Sequence, residues 1–313
     1  MKVLAADIGG THISCGAVED HTLLESVSIE ADSRNRLADL LPALEQTLHA
    51  IAERHPGAYA GVGFGFCGLV NPHAGRVLAA NGKFPDATAI DLPGWARAAF
   101  NLPLALENDT RMALLGEHHA GSAQGSDVVM MTLGTGIGTA VISEGRLLRG
   151  KHFQAGCLGG HFTVALEGRL CSCGADGCFE AEASTYALQD VSRNWPGFQS
   201  SALAQEERLD LKALFHWADR GDHVAKEIRD RCIAIWSACA LSLVHAYDPD
   251  LVVFGGGVMK SSYPILEALR QHVEAKAWTP WGKVEFRTAA LGSDAALLGA
   301  WPLIAQQNEI QLR

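Results

Sequence analysis

"KVLAADIGGTHISCGAVE" spans residues 2–19, and "DVVMMTLGTGIGTAVIS" spans residues 127–143. Each stretch runs from an apolar strand through a turn of glycine and threonine into a second apolar strand. The likeness between the two stretches indicates that one structural unit was duplicated within the chain. We therefore expect two similar lobes, each built on a strand–turn–strand element.

Helical and strand patterns alternate along the rest of the chain. Residues 36–57 and 111–121 have the apolar spacing of helices, and residues 59–70 have the pattern of a strand. Residues 223–250 predict a long, mostly buried helix. This alternation predicts an α/β fold.

The length predicts two domains. A chain of 313 residues with 48% hydrophobic content exceeds what a single hydrophobic core usually supports. We expect an N-terminal lobe over residues 1–118 and a C-terminal lobe over residues 119–299. A C-terminal helix at about residues 300–313 is expected to pack back on the first lobe.

The charge excludes several classes of function. The formal net charge is −10, and no run of Lys or Arg offers a surface to phosphate backbones or anionic lipid. No uncharged stretch reaches the roughly 20 apolar residues of a membrane-spanning helix, and the first residues lack a signal-peptide pattern. We therefore expect a cytoplasmic protein without nucleic-acid or membrane partners.

Three glycine-rich turns follow predicted strands. In "DIGGTH", at residues 7–12, Gly9 and Gly10 would let backbone N–H groups approach a phosphate, although an ordinary hairpin turn explains the hexapeptide equally well. "LGTGIGT", at residues 133–139, repeats this chemistry but lacks the ending of a P-loop. "FGGGV", at residues 254–258, offers bare backbone to a base or ribose. Together the three turns indicate a nucleotide-binding protein.

Asp109 is the candidate general base. It lies in "LENDT", where a predicted strand ends and a helix begins, which is the usual place for active residues in α/β folds. A carboxylate there could accept a proton from a hydroxyl nucleophile. The alternative is that Asp109 only caps the helix, since Asp is a favoured N-cap residue.

A cluster of soft ligands predicts a structural zinc site. Three thiolates and one imidazole form a closed tetrahedral set, and they come from His161, Cys171, Cys173 and Cys178. The alternative is a group of reduced, buried thiols without a metal. The isolated residues Cys15, Cys67, Cys232 and Cys239 are interpreted as small core residues.

The order of motifs along the whole chain resembles that of the ROK sugar kinases, a family of the actin-like ATPase superfamily. The motifs are "DIGGTH", "ENDTRMALLGE", "LGTGIGTAVI", a histidine ten residues before "CSCGADGCFE", then "DPDLVVFGGGV" and "LGSDAALLGA". The resemblance implies two actin-like (ribonuclease H-like) lobes with a central cleft and a small zinc-binding loop at residues 161–178. It also implies transfer of the γ-phosphoryl group of ATP, with Mg²⁺, to a sugar hydroxyl, and a homodimer or homotetramer.

The resemblance assigns roles to individual residues. Asp109 resembles the catalytic base, and the expected phosphate, Mg²⁺ and adenosine contacts are Asp7, Gly9, Gly10, Thr11, Gly134, Thr135, Gly136, Gly255, Gly256 and Gly257. The expected sugar contacts are Gly68, Asn81, Asn108, Asp109, His161 and Glu180. Ala80 stands where the family has a proline before the asparagine.

One motif departs from the family. The usual Gly-Glu-x-Gly-His run, whose glutamate holds sugar hydroxyls, is replaced by "GCLGGH" at residues 156–161. The glutamate position is Leu158 or Cys157, depending on the alignment, so the carboxylate is absent either way. We therefore expect phosphorylation of a hexose or hexose derivative with non-standard specificity.

Two other functions compete with an ATP-dependent sugar kinase. The family also contains sugar-responsive regulators, but these carry a helix-turn-helix ahead of the lobes, and Asp7 follows only six residues here. A catalytically weak sugar-binding protein is the third possibility. The presence of Asp109 and both phosphate turns favours the kinase.

Overall fold

The computed structural model describes residues 1–261 and 263–311. Residues 312 and 313 of the predicted C-terminal helix, and residue 262 of the predicted second lobe, lie outside this range. Strands and helices alternate along the described chain, which confirms the predicted α/β class. None of the described helices is both long and apolar enough to cross a lipid bilayer.

The strands in chain order are β1 (Lys2–Ile8), β2 (His12–Glu19), β3 (Thr22–Glu30), β4 (Tyr59–Phe66), β5 (Leu69–Asn71), β6 (Arg76–Ala79), β7 (Leu104–Asn108), β8 (Val128–Leu133), β9 (Ile137–Ser143), β10 (Arg146–Leu147), β11 (Leu251–Gly255) and β12 (Glu285–Thr288). The helices are α1 (Leu41–Arg54), α2 (Leu92–Phe100), α3 (Asp109–Ala120), α4 (Phe179–Ala183), α5 (Thr185–Arg193), α6 (Leu211–Asp219), α7 (His223–Tyr247), α8 (Ile265–Lys276) and α9 (Ala295–Gln311).

The chain forms two compact units. Unit 1 contains residues 1–124 and 149–155 together with the chain from residue 290, and unit 2 contains residues 125–148 and 156–289. The first crossing therefore lies six residues after the predicted division at 118/119. The return of residues 149–155 to unit 1 has no counterpart in the prediction, because it depends on contacts between residues distant in sequence, among them the Arg149–Glu107 ion pair.

Unit 1 is built on a five-stranded mixed sheet in the order β3-β2-β1-β4-β7. The β1–β2 hairpin is antiparallel, whereas β1, β4 and β7 run parallel. In the register of the parallel strands, Asp7 lies beside Gly65, and Gly65 beside Glu107. The sheet therefore directs the ends of β1, β4 and β7 to one edge.

The last helix, α9, packs on a face of β4 that carries no side chains. A Cβ atom at Gly63 would lie 2.6 Å from Ala300 Cβ, and one at Gly61 would lie 2.7 Å from Ile304 Cδ1. The alternation of strand side chains places Gly61, Gly63 and Gly65 on the same face. The predicted C-terminal helix thus begins earlier than expected, at Ala295, and belongs to unit 1.

Unit 2 repeats the same sheet topology. Its strand order is β10-β9-β8-β11-β12, with an antiparallel β8–β9 hairpin and parallel β8, β11 and β12. This agrees with the duplication inferred from the two quoted stretches. The long helix α7 supplies the core of the unit, where Trp236 is completely buried and donates to the Ala183 carbonyl at 2.8 Å.

Candidate active site

The edge formed by three parallel strands brings several predicted residues of unit 1 together. Asp7 lies at the end of β1, Gly68 comes two residues after β4, and Asp109 directly follows β7. The middle strand contributes Gly65, where a Cβ atom would lie 3.0 Å from Asp7 Oδ1 and 3.6 Å from Asp109 Cα. The missing side chain at Gly65 makes room for the two carboxylates at this edge.

Asp109 is the first residue of α3 and is not its N-cap. The N-cap is Asn108, whose side-chain oxygen accepts from the Arg111 backbone N–H at 3.2 Å. Asp109 Oδ1 accepts hydrogen bonds from Asn108 Nδ2 at 2.9 Å and from the Thr110 backbone N–H at 2.7 Å. All the hydrogen bonds that Asp109 accepts from described residues reach Oδ1, which leaves Oδ2 for another partner.

The Asn108 amide connects two predicted sugar contacts. Its Nδ2 also donates to the Gly68 carbonyl at 3.2 Å. Gly68, Asn108 and Asp109 therefore form one hydrogen-bonded group. Asn81, by contrast, is exposed and lies in a turn with φ of 47°.

The environment of Asp7 and Asp109 makes both carboxyl groups harder to ionise than exposed aspartates. Burial, together with the negative charge of Asp109, raises the pKa of Asp7 to about 7. Burial also raises the pKa of Asp109, although Thr110 and Lys83 partly oppose this shift. Asp7 Oδ1 is buried and has no hydrogen-bond partner among the described residues. A cation beside Asp7 would relieve both the repulsion and the unpaired oxygen.

Glu107 supports this edge and was missed by the sequence analysis. Its completely buried carboxylate accepts from the Asn108 backbone N–H at 3.0 Å and from Arg149 Nε at 2.7 Å. Arg111 Nη1 lies 3.4 Å from the same carboxylate, and Arg111 Nη2 donates to the Ala155 carbonyl at 2.6 Å. These contacts fix the residue before Asn108 and explain why residues 149–155 belong to unit 1.

The first predicted phosphate turn is held tightly by its neighbours. The Gly9 N–H donates to the His12 carbonyl at 3.2 Å, which closes the β1–β2 hairpin. Ser33 N–H donates to the Gly10 carbonyl at 2.9 Å. Thr11 is exposed at the tip of the turn. The geometry is therefore that of a hairpin turn with bare backbone at Gly9 and Gly10.

The second predicted phosphate turn contacts Glu180 within unit 2. Gly134 N–H donates to the Gly136 carbonyl at 3.1 Å, and this closes the turn between β8 and β9. Glu180 Oε2 accepts from the Ile137 backbone N–H at 2.9 Å. A side chain at Gly136 would collide with the Glu180 carboxylate. The turn and the predicted sugar ligand therefore form one structural group.

The third glycine turn follows β11, at the edge of the unit 2 sheet where the second glycine turn also lies. Gly255 pairs with Thr132 of β8 in the parallel register, so Gly255–Gly257 and Gly134–Gly136 both follow neighbouring strand ends. No described atom lies within 4 Å of the position of a Cβ at Gly257. The backbone there is open to a ligand.

The four predicted zinc ligands lie together in unit 2. Their ligand atoms are all within 4.8 Å of one another. His161 Nδ1 is 3.4 Å from Cys171 Sγ, and Cys173 Sγ is 3.6 Å from Cys178 Sγ. Zinc–ligand bonds of about 2.0–2.3 Å in a tetrahedron require ligand separations of about 3.5–3.8 Å. The cluster therefore has the donor set and nearly the spacing of a zinc site.

A buried group of charged side chains connects α4 to the loop that carries the predicted zinc ligands. Glu182 Oε1 accepts from the Arg169 backbone N–H at 2.7 Å, and Glu182 Oε2 accepts from Arg169 Nη1 at 2.8 Å. Arg231 of α7 also donates to Glu182. The sequence analysis missed this group, because its partners come from three separate segments.

A buried threonine fixes the segment "GCLGGH" at residues 156–161. Thr139 Oγ1 donates to the Gly156 carbonyl and accepts from the Gly159 N–H, both at 2.8 Å. A side chain at Gly160 would collide with the Ile137 carbonyl. Leu158, between these anchors, is 38% exposed. The segment thus holds the apolar side chain of Leu158 near solvent.

Comparison with known families agrees with this arrangement of motifs. The sequence profile described as "ROK family" matches residues 3–307. The chain belongs to the ROK family. This confirms the resemblance drawn from the motifs.

Relatives of this ROK protein extend over nearly its whole length. The glucokinase of Thermotoga maritima is 31% identical over 315 residues, with 98% of each chain covered. The crystal structure of a ROK hexokinase from Thermus thermophilus has a TM-score of 0.82, 30% identity and 99% coverage of each chain. A ROK family glucokinase from Streptomyces griseus, in complex with glucose and AMPPNP, has a TM-score of 0.82, 28% identity and coverage of 98% of this chain and 100% of that one.

The stability of the metal-free ROK protein should depend on the titration of Asp7. Its pKa rises from 3.8 to about 7 on folding, so the folded state loses stability relative to the unfolded state as the pH increases through this range. In Asp7→Asn this loss should be absent. Melting temperatures measured in EDTA between about pH 4 and pH 8 should fall more for the wild type than for Asp7→Asn.

The exposed Asp39, whose carboxylate accepts no hydrogen bond from the described residues, supplies the control. Asp39→Asn should follow the wild-type pH profile. Parallel profiles for the wild type and Asp7→Asn would show that Asp7 does not carry a raised pKa.

Proposed function

We propose that this ROK-family sugar kinase transfers the γ-phosphoryl group of ATP to a hydroxyl of a hexose or hexose derivative, with Asp109 as the general base. The observation that carries the proposal is the position of Asp109 directly after β7, beside Asp7 at the edge of the unit 1 sheet. The relatives named glucokinase and hexokinase, with their nearly complete coverage, support the same reaction class.

Asp109 has the properties of a base for a weakly acidic hydroxyl. Oδ1 is fixed by the Asn108 amide and the Thr110 backbone N–H, so the orientation of the carboxylate is set before substrate binds. Oδ2 accepts the hydroxyl proton as the oxygen attacks phosphorus. The raised pKa of Asp109 makes it a stronger proton acceptor than an exposed aspartate. Asn108 and Gly68 would contact neighbouring sugar hydroxyls.

The phosphate side of the proposal rests on Asp7 and the two hairpin turns. The unpaired, buried Oδ1 of Asp7 fits Mg²⁺, which prefers hard oxygen ligands. When bound, Mg²⁺ supplies charge neutralisation for the phosphate oxygens. Gly9–Thr11 in unit 1 and Gly134–Gly136 in unit 2 are the proposed phosphate contacts, through backbone N–H groups other than those of Gly9 and Gly134, which close the turns. Gly255–Gly257 would lie against adenosine.

Zinc is proposed as a structural ion held by His161, Cys171, Cys173 and Cys178. Cys178 is the N-cap residue of α4, and Glu180 lies in the first turn of that helix. A metal bound at Cys178 would therefore fix the start of the helix that presents Glu180. Glu180 and His161 are the proposed sugar contacts of unit 2.

The specificity of the kinase should differ from that of a dedicated glucose enzyme. Leu158 and Cys157 provide no carboxylate to accept sugar hydroxyls at the position of the family's glutamate. A buried charged acceptor penalises substrates that leave it unpaired, and that penalty is missing here. We expect the substrate to differ from glucose around its first two carbons, or to be held there by other groups.

Replacement of the base tests the mechanism. Asp109→Asn should keep the fold and nucleotide affinity, because the amide preserves the shape of the side chain. It should lower kcat by about 10² or more, the usual effect of losing a positioned base. Sugar-dependent ADP release measures the rate, with Asp39→Asn as the control. Turnover of Asp109→Asn near the wild-type rate would reduce Asp109 to a structural residue.

Metal analysis tests the zinc site. Protein purified without added metal should contain one zinc per chain by elemental analysis. Cys178→Ser should lower the zinc content and weaken sugar binding, because the start of α4 loses its anchor. Cys232→Ala, a change at a buried cysteine of α7, should leave both unchanged. Fully active wild-type protein without zinc contradicts the proposal.

Restoring the glutamate tests the specificity. Leu158→Glu or Cys157→Glu should raise kcat/KM for glucose by the equivalent of about 1–3 kcal/mol, because a charged hydrogen bond is regained. The matching glutamine variants lack the charge and should gain less. Wild-type kcat/KM for glucose at or above about 10⁴ M⁻¹s⁻¹, typical of a dedicated enzyme, would overturn the specificity proposal alone.

A further inference from the structure

A lysine that the sequence analysis did not select lies beside the first phosphate turn. Lys83 belongs to the loop between β6 and α2, and it is partly buried. Its Cε atom is 3.9 Å from the position that a Cβ at Gly10 would occupy. The end of the lysine side chain therefore lies near Gly10, next to the Ser33 side chain, whose Oγ is 3.3 Å from the same position.

Two backbone hydrogen bonds at Ser33 join the lysine loop to this turn. The Ser33 N–H donates to the Gly10 carbonyl at 2.9 Å, and the Ser33 carbonyl accepts from the Phe84 N–H at 2.5 Å. Phe84 directly follows Lys83. The backbones of the two segments are therefore held on the same residue, which keeps the Lys83 backbone near the turn.

The loop keeps Lys83 in place at a cost in backbone energy. Phe84 has φ of 44°, a conformation that is rare for a bulky residue. Its ring is buried against Phe66, with ring centroids 6.0 Å apart. Asp86 accepts from the Leu37 backbone N–H at 2.7 Å and anchors the other side of the loop. Strain of this kind persists where the surrounding packing requires it, and it is frequent at functional sites.

The ammonium group has no partner within the described part of the protein. No hydrogen bond or ion pair joins Lys83 Nζ to a described residue, while the positive charge of Lys83 acts on Asp109 and opposes the rise in the pKa of that carboxyl group. A partly buried cation loses hydration, and an anion is the natural compensation. The geometry leaves Lys83 Nζ free to bind one beside Gly10.

We infer that Lys83 is a catalytic residue whose ammonium contacts the γ-phosphoryl group during its transfer. This inference rests on the proposed kinase function. A lysine ammonium binds phosphate as a compact point charge. Placed beside Gly10 of the Gly9–Thr11 turn, with its charge acting on the base Asp109, it would stabilise the charge on the phosphoryl oxygens as the sugar oxygen attacks.

Nucleotide analogues distinguish a γ-phosphoryl contact from other roles. Lys83→Met removes the charge and keeps most of the length of the side chain. Its affinity for Mg²⁺-AMPPNP should fall about tenfold, whereas its affinity for Mg²⁺-ADP should be unchanged, since ADP has no γ-phosphoryl group. With the hexose that supports the highest wild-type rate, kcat should fall about 10²-fold. Lys83→Arg should recover part of both losses.

Lys151, an exposed lysine of unit 1, supplies the control, and Lys151→Met should match the wild type. Melting temperatures establish that the variants fold, with Lys83→Gln as a second neutral variant should Lys83→Met unfold. Equal losses of AMPPNP and ADP affinity, or unchanged affinity for both nucleotides, overturn the inference. An increase confined to KM for the sugar also overturns the inference, because it would indicate that Lys83 contacts the sugar.

The proposed function can fail separately from this inference. If no hexose in a broad panel stimulates ATP consumption by the wild type, the kinase proposal is wrong. The difference between AMPPNP and ADP affinity in Lys83→Met still reports whether the lysine contacts a γ-phosphoryl group. If the wild type is active and this difference is absent, only the inference about Lys83 fails.

Discussion

The absence of side chains on one face of β4 is the constraint on which unit 1 depends. Gly61 and Gly63 let α9 approach the sheet within van der Waals distance, and Gly65 makes room for Asp7 and Asp109 at its edge. A single methyl group at Gly63 would meet Ala300 at 2.6 Å, which is closer than two carbon atoms can pack. Core packing and the candidate chemistry of unit 1 therefore depend on the same strand.

In each unit, a buried glutamate lies close to the candidate site residues. In unit 1, Glu107, which precedes Asn108, accepts a hydrogen bond from Arg149. In unit 2, Glu182 accepts hydrogen bonds from Arg169, in the loop of the predicted zinc ligands, and from Arg231 of α7. Each glutamate is buried and satisfied by more than one donor. Buried carboxylates of this kind fix geometry at the expense of desolvation. Both are expected to orient Asp109 and Glu180 without touching substrate.

The α/β class and most elements could be predicted from the sequence, because apolar periodicity and glycine turns are local signals. The start of α1 could not: the pattern at residues 36–57 continues through a short 3₁₀ turn at Leu37–Asp39, and the α-helix begins only at Leu41, beside Pro42. Capping was also ambiguous, since Asn108 and Asp109 are both good caps and only the backbone decides between them. Lys83 carries no motif, and its position follows from the hydrogen bonds of Ser33.

The position of α9 has a consequence for synthesis of the protein on the ribosome. Unit 2 is complete once residue 289 has emerged, whereas unit 1 lacks the helix that covers the bare face of β4 until residues 295–311 follow. Contacts between β4 and α9 are among the most distant in sequence, and such contacts form late. The strands of unit 1 are therefore translated first but stay incompletely covered until α9 has been synthesised. Unit 1 completes its core after unit 2, although unit 1 begins the chain.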